Sequence, residues 1–379
     1  MNINLDKNKI VLGISGGVDS TTAALLLLEK GYEVYGLYFN IHHDGEEGRI
    51  AALKALTEAY KAVKPEIPTV TVENRYSIYK DVKQLFNEIV VSDFVNEYLD
   101  GRTPNPCIVC NPSIKFRLLI DAANEVGAYY IATGHYADTY TDNESGKSYI
   151  KASSSKKDQS YMLYRLPQEV VKRVVFPLAS FSDKDKIREI AENMGMSNSD
   201  KKDSQEICFI ENNRTHGDFI DDWTGNTGKL LTLKEGNFIN REGTVLGKHK
   251  GVVNYTIGQR KGLGIALGKP AFVTELNPDN NTVVLGENEE LLKTNVIIDR
   301  LFFAETDGSD IPSDLEGKEL TGKIRYAAPR ARAKVLKGNE QGTVMVMFEN
   351  PQRAMTPGQS LVLYDGDIVI GGGRIIKVL

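Results

Sequence analysis

This chain lacks what a membrane protein, a disulfide scaffold or a histidine metal centre would need. Its longest unbroken aliphatic run, Ala23–Leu28, falls far short of the roughly 18 apolar residues of a membrane span. Met1–Lys9 has no apolar stretch of the signal-peptide kind. A cytoplasmic protein with no membrane partner is expected. Three cysteines in 379 residues are too few and too oddly numbered for a disulfide framework. Two of them form Cys107-x-x-Cys110, which in a reducing compartment points to chemistry or metal before architecture. Of five histidines only His135 stands in a motif; His42, His43, His216 and His249 show no paired ligand spacing and read as surface or loop residues. The net charge of −5 argues against indiscriminate nucleic-acid binding but leaves room for a local basic patch. With 41% apolar residues, the length suits a globular protein of two or three domains.

The first half alternates β-branched runs with helical patterns. Strands are expected at Ile10–Ser15, Glu33–Phe39, Thr69–Val72 and Ala128–Thr133, and helices from about Asp19, over 47–63, 79–98 and 114–126. Ile50, Leu53, Leu56, Tyr60 and Val63 recur at helical spacing and predict one apolar stripe. Strands separated by helices of this length imply right-handed βαβ units and a doubly wound parallel sheet, with ligands at the carboxyl ends of the strands. After about Glu211 the texture turns Gly-rich and alternating, with Asn277-Pro-Asp-Asn-Asn281 as a turn and Thr343–Phe348 as a strand, and reads as all-β. The expected division is 1–211 for the nucleotide domain, 212–288 for a small, mostly β central domain and 289–379 for a C-terminal β-barrel.

Directly after the first strand comes Gly13-Ile14-Ser15-Gly16-Gly17-Val18-Asp19-Ser20. Two glycines let backbone amides turn inward, Ser15 and Ser20 add hydroxyls, and a helix N-terminus follows, which together make an anion site. Neither this loop nor Ser145-Gly-Lys-Ser148 meets the Walker A pattern, and the G-x-G-x-x-G dinucleotide pattern is absent from the loop. Ser-Gly-Gly-Val-Asp-Ser matches the PP-loop of ATP pyrophosphatases, a resemblance that implies cleavage of ATP to AMP and pyrophosphate. Asp19 is a poor phosphate neighbour by charge and is expected to handle Mg²⁺ or pyrophosphate.

Gly101-Arg-Thr-Pro-Asn-Pro-Cys-Ile-Val-Cys-Asn-Pro112 is dense in proline and reads as a stiff loop, not a helix. The third thiol, Cys208, lies far off in Lys201–Ile210. With these motifs the chain resembles the tRNA-specific 2-thiouridylase (MnmA/TrmU) family. The matching segments run in order along nearly the whole chain: Ser15–Ser20, Gly101–Phe116, Ala132–Tyr136, Lys157–Tyr161, Asp203–Ile210, Ile257–Ile265 and Thr356–Ser360.

The resemblance implies that ATP adenylates the 2-oxygen of the wobble uridine, position 34, of certain tRNAs, and that a protein-borne sulfur then displaces AMP. Carried over, Cys208 holds the persulfide and Cys110 is the partner nucleophile. Gly13–Ser20 cradle the phosphates, Phe39 covers the adenine, and Gly134 brings backbone close to the nucleotide. Asn105, Pro106, Cys107, His135, Lys157, Asp158, Gln159, Arg325, Tyr326 and Gln359 match tRNA contacts. A basic strip free of acids between Thr321 and Asn339, namely Lys323, Arg325, Arg330, Arg332, Lys334 and Lys337, suits an RNA backbone. The basic Gly258–Gly262 loop either joins strands or touches tRNA. Some relatives carry Asp where this chain has Cys107; in relatives with C-x-x-C plus the distant cysteine, the three thiolates, here Cys107, Cys110 and Cys208, can hold a 4Fe-4S cluster. Expected partners are the tRNAs for Lys, Glu and Gln and a sulfur-relay protein or cysteine desulfurase, with a monomer as the family habit. Two other readings stay open: a PP-loop AMP-forming synthetase acting on a small acid, and an RNA-binding protein with a degenerate nucleotide domain.

Overall fold

The computed structural model describes residues 5–41, 45–199, 207–211, 214–225, 231–338 and 340–379. Two compact units divide the chain, one formed by residues 1–89, 107–205 and 367–370, the other by 90–106, 206–366 and 371–379.

In the first unit β1 (Asp6–Gly13) leads through the glycine loop into α1 (Val18–Glu29), then β2 (Glu33–Asn40), α2 (Gly45–Val63), the short α3 (Thr69–Thr71), β3 (Ser77–Asp81) and α4 (Lys83–Phe86). The chain passes through a π-helical turn, Asn87–Val91, and α5 (Ser92–Leu99), which belongs to the second unit. It continues through α6 (Pro106–Cys110), a π-helical segment Asn111–Lys115, α7 (Phe116–Val126), β4 (Ala128–Ala132) and the hairpin β5 (Asp138–Thr141) and β6 (Ser148–Lys151). After these come α8 (Gln168–Val171), β7 (Val174–Val175) and α9 (Lys184–Asn193). The sheet order is β3-β2-β1-β4-β7, all parallel. The chain winds outward from β1 through β2 to β3 and returns on the other side of β1 as β4. The switch point lies between β1 and β4, where open α/β sheets bind ligands beyond their carboxyl ends. Ile10, Val11, Leu12, Val34, Leu37 and Ile131 are fully buried in this sheet.

Several expectations need correction. Thr69–Val72 is helical, and the third strand is Ser77–Asp81 instead. Its β-branched residues favoured a strand, but Pro68 sets an extended N-cap and the chain turns into helix behind it. The helix expected at 79–98 starts later, at Lys83, because Ser77–Asp81 pairs with Gly36–Asn40. The buried face of α2 is Ala52, Ala55, Leu56, Ala59 and Tyr60, and Ile50 is 58% exposed. Small residues win that face because the helix lies close to its neighbours, with Ala51 against Gly16 and Leu56 against Gly36.

Pro106–Cys110 is helical, not loop. Pro106 takes the first helical position, where a missing N–H costs nothing, and Pro112 is the second residue of the π-helical segment that follows.

In the second unit α10 (His216–Trp223) interrupts the stretch read as all-β; Thr215 and Asp218 close it with a reciprocal capping box. The small sheet is β10-β11-β8-β9, from β8 (Gly236–Ile239), β9 (Val245–His249), β10 (Phe272–Asn277) and β11 (Thr282–Gly286). The expected turn joins β10 to β11. Phe238, Val252, Tyr255, Val273 and Val283 form its core. β12 (Leu292–Phe303), β13 (Glu319–Lys323), β14 (Ala331–Lys337), β15 (Val344–Arg353), β16 (Ser360–Asp365) and β17 (Ile368–Val378) follow in the order β12-β15-β14-β13-β16-β17. Antiparallel pairing of β12 with β17 closes them into a six-stranded barrel. The α/β sheet, small β-rich centre and C-terminal barrel match the fold class expected from the sequence.

His216 and His249 are not surface residues. His216 stacks on Tyr98 with ring centroids 4.6 Å apart and its Nε2 lies 2.9 Å from the Val253 carbonyl; His249 is buried and bonded to the Asn281 carbonyl. Burial pushes both imidazoles below their usual pKa. His42 and His43 lie outside the described residues.

Candidate active site and nucleic-acid interface

The glycine loop follows β1, next to the switch point. Gly16 has φ +72°, and a Cβ there would lie 2.9 Å from the Ala51 carbonyl carbon, so only glycine fits. Gly17 is the N-cap of α1 and has no side chain to cap it; the first intrahelical bond is Thr21 N–H to the Gly17 carbonyl. The N–H groups of Val18, Asp19 and Ser20 precede that bond, which is how a helix N-terminus addresses an anion. Ser20 knots the loop: its hydroxyl donates to the Gly17 carbonyl at 3.0 Å and accepts from the Ser15 N–H at 3.2 Å. Asn198 clips the loop from a third side through its Nδ2, which donates to the Gly16 carbonyl and to Thr21 Oγ1 at 3.0 and 2.8 Å.

Asp19 is not left facing the loop alone. Its Oδ1 accepts from the Tyr136 hydroxyl at 2.8 Å and its Oδ2 from Lys184 Nζ at 2.7 Å. Lys184 stands at the start of α9 with a side chain only 7% exposed. A carboxylate beside a phosphate site is thus matched by a buried ammonium. Neither Lys184 nor Asn198 belongs to a motif singled out in the sequence; their only signal is a plain amphipathic helix and the turn after it. Gly134, just past β4, brings its backbone against the loop, since a Cβ on it would lie 3.1 Å from the Asp19 carbonyl carbon. Phe39 is half-buried at the carboxyl end of β2, paired with Lys80 across the sheet. Gly13, Ile14, Ser15, Gly16, Gly17, Val18, Asp19, Ser20 and Gly134 therefore converge beyond the carboxyl ends of β1 and β4.

None of the three cysteines is joined in a disulfide. Cys107 and Cys110 are one turn apart on α6, Cys107 exposed and Cys110 half-buried. Burial pushes the Cys110 thiol up, while the nearby Lys115 charge and backbone N–H pull it back. Cys208 is exposed in the turn Ile207–Ile210, closed by the Ile210 N–H on the Ile207 carbonyl at 3.0 Å. Its neighbour Phe209 anchors that turn edge-on to Phe94 at 5.2 Å and against Phe219 at 5.3 Å. The preceding Asp203–Glu206 lie outside the described residues.

His135 has Nδ1 2.7 Å from Thr133 Oγ1 and stacks on Phe116. Burial, helped by Lys115, holds its pKa well below the usual value, so near pH 7 it is a neutral hydrogen-bonding group. Lys157 is exposed. Asp158 is turned inward and accepts from the Ser153 N–H and the Ser160 hydroxyl at 2.9 and 2.7 Å. Gln159 bonds the backbone of Tyr136 in both directions, at 2.7 and 3.0 Å. Gln159 thereby holds the segment around His135 in place, while Asp158 ties up its own loop.

The basic strip is partly neutralised: Lys334 pairs with Glu319 at 3.4 Å, Arg332 with Glu349 at 3.8 Å, and Arg330 donates to the Gly366 carbonyl at 2.6 Å. Arg325 and Tyr326 are half-exposed, with Lys323 Nζ 5.4 Å from the Tyr326 ring centroid.

A parallel sheet with a PP-loop at its switch point, followed by a small β-rich domain and a closed barrel, defines a PP-loop protein of the adenine nucleotide α-hydrolase-like class. The comparisons with known proteins agree. The chain matches the tRNA methyl transferase HUP domain over residues 8–212, the tRNA methyl transferase PRC-barrel domain over 228–287 and the aminomethyltransferase beta-barrel domain over 309–375. It is 42% identical to a tRNA-specific 2-thiouridylase MnmA 2 of Clostridium botulinum, covering 99% of this chain and 100% of that one. It is 44% identical to the tRNA-specific 2-thiouridylase MnmA of Clostridium perfringens over 99% and 100%, and 43% identical to that of Clostridioides difficile over 98% and 99%. The chain belongs to the tRNA-specific 2-thiouridylase (MnmA) family of enzymes.

Proposed function

We propose that this protein is an ATP-dependent tRNA-uridine 2-sulfurtransferase. The observation that carries the reading is the PP-loop at the β1/β4 switch point, in a chain alike over its whole length to 2-thiouridylases. ATP, entering as its Mg²⁺ complex, lays its phosphates on Gly13–Ser20, and the wobble uridine 2-oxygen attacks the α-phosphate to release pyrophosphate. Each oxygen of Asp19 already accepts one hydrogen bond, from Tyr136 and from Lys184, so a metal at this carboxylate would share it with both.

Adenylation turns a poor leaving group into AMP. The terminal sulfur of a Cys208 persulfide then bonds to C2 and AMP departs. The Cys110 thiolate attacks Cys208 Sγ, breaking the sulfur–sulfur bond to leave 2-thiouridine and a protein disulfide, which an external dithiol reduces. An exposed Cys208 suits loading by a sulfur-carrying partner, and a half-buried Cys110 with a raised pKa stays mostly protonated until its surroundings change. Reaching the wobble base requires its extrusion from the anticodon stack, offset by backbone contacts from Lys157, Arg325 and Tyr326. The expected three-domain division assigns the chemistry to 1–211 and part of the tRNA grip to 289–379.

A cluster-dependent variant of the same reaction has one observation in its favour, the two thiols of α6 one turn apart. Among the described residues no group of three or more His, Cys, Asp or Glu side chains is poised to hold a metal ion. Iron and sulfide counting on anaerobically purified protein separates the two, since metal-free protein with full thiolation activity excludes the cluster.

The first test uses ATP labelled at the α-phosphate, with and without unmodified tRNA. AMP that forms only with tRNA supports RNA adenylation. AMP without tRNA favours a small-acid synthetase, and ADP overturns the loop assignment.

A further inference from the structure

We propose that Asn198 is a positioning residue that fixes the direction of the Gly16–Gly17 peptide and so turns the Gly17 N–H toward the phosphate site as a further anion donor. Every contact involved lies within the first unit. This deepens the ATP-dependent reading of the phosphate loop and rests on it.

A peptide between two glycines is the easiest point of an anion loop to reverse. Turning its plane over changes ψ of the residue before it and φ of the residue after it, and glycine tolerates both changes. The reversed plane would present the Gly16 carbonyl oxygen to a phosphate in place of the Gly17 N–H.

Asn198 opposes that reversal. Its Nδ2 donates to the Gly16 carbonyl at 3.0 Å, the one hydrogen bond on that oxygen among the described residues, and to Thr21 Oγ1 at 2.8 Å. No peptide bond among the described residues is cis, so the Gly17 N–H points the opposite way from the held carbonyl. There it meets Ser15 Oγ at 3.4 Å, a long contact that a phosphate oxygen can displace. Thr21 Oγ1 in turn donates to the Gly17 carbonyl at 3.0 Å, so side chains hold the carbonyls of both glycines.

Gly17 itself points to a ligand. Its backbone is extended, at φ −89° and ψ 159°, and a Cβ on it would meet only Ser15 Oγ, at 3.4 Å. Neither strain nor packing demands glycine there, in contrast to Gly16. What glycine supplies at this position is clear space before the N–H groups of Gly17, Val18, Asp19 and Ser20.

The grip is anchored from outside the loop. Ser197 N–H and Oγ both donate to Glu58 Oε2 of α2, at 3.0 and 3.1 Å, and the Met196 N–H closes the end of α9 on the Ala191 carbonyl at 2.8 Å. Asn198 Oδ1 is buried with no hydrogen-bond partner among the described residues. The amide leaves its acceptor unsatisfied while both donors stay on the loop, which is the orientation a loop-holding residue needs.

The test is calorimetry on the whole protein with Mg²⁺, using ATP and inorganic pyrophosphate to probe the phosphate half of the site and adenosine to probe the nucleoside half. In Asn198→Ala the Kd of ATP and of pyrophosphate is expected to rise about fivefold, which is about 1 kcal/mol or one net hydrogen bond, with the adenosine Kd unchanged. Asn198→Leu keeps the side-chain volume without the donors and should match it; if the alanine variant does not fold, the leucine variant decides. A lowered Tm with ATP and pyrophosphate bound as in the wild type would make Asn198 a staple of the turn after α9 and overturn the proposal. An equal loss for adenosine, the mark of a distorted pocket, would overturn it too. Wild-type protein that binds no ATP would bring down the proposed function along with this role, whereas wild-type binding with unaffected variants counts against Asn198 alone.

Discussion

Lys184→Met removes one partner of the ion pair beneath the phosphate loop. Nζ and Oδ2 are 2.7 Å apart, with side chains 7% and 30% exposed. Breaking a fully buried pair costs about 3–5 kcal/mol. Asp19 keeps partial solvent and the Tyr136 hydroxyl, so about 2 kcal/mol is expected here, or roughly 4–8 °C in Tm for a unit of this size. ATP should feel the change as well. Without the cation the Asp19 carboxylate stands uncompensated beside the phosphate site, a repulsion of about 1.4 kcal/mol, roughly tenfold in Kd. Stability is read by far-UV circular dichroism, since the lone Trp223 lies in the second unit, and ATP affinity by calorimetry at fixed Mg²⁺. If Lys184 acts by matching the Asp19 charge, Asp19→Asn in the same chain should recover most of both losses, a coupling of about 2 kcal/mol. Strictly additive costs would refute the reasoning.

Four further outcomes follow from single observations. Gly16→Ala forces a β-carbon into a left-handed backbone and against Ala51, a strain of about 1–2 kcal/mol before any clash; ATP Kd should rise at least tenfold by calorimetry, and unchanged affinity would mean the loop geometry does not make the site. Cys208→Ser should abolish thiolation and spare tRNA-dependent AMP formation; loss of both would break the assigned division of labour. Arg374→Met leaves Glu97 and Asp299 without their shared partner and should cost about 3 kcal/mol in denaturant unfolding, while a cost under about 1 kcal/mol would show Arg102 and Arg300 suffice. The Cys110 pKa is raised in the folded protein, so its contribution to stability is complete below the free-thiol value of about 8.5 and is lost as pH rises through the folded value. Alkaline stability should therefore fall less steeply in Cys110→Ser, and identical profiles would rule out burial of that thiol as the cause.

What the residues determined alone was the local chemistry. Ser15–Ser20 after an apolar strand reads as an anion loop, because two glycines, two hydroxyls and a helix start act within one short stretch of chain. The doubly wound sheet followed from strand and helix alternation, and the β-rich second half from turns such as Asn277–Asn281. Where competing local preferences were close, the sequence misled: Thr69–Val72 is β-branched yet helical behind Pro68, and Pro106 begins a helix instead of forbidding one, since position within a helix decides what a proline costs.

Tertiary structure alone decided the partners. Nothing near Asp19 in sequence foretells Lys184, 165 positions away, and nothing near Gln359 foretells that its amide meets the Thr103 carbonyl, 256 positions earlier. Local pattern encodes which groups are present; only the folding of distant segments against each other sets which charge is neutralised, which thiol is buried and which backbone is held. Those distances govern electrostatic and hydrogen-bond energies, and for this reason the identity of the phosphate loop was legible in the sequence while the residues that tune and support it were not.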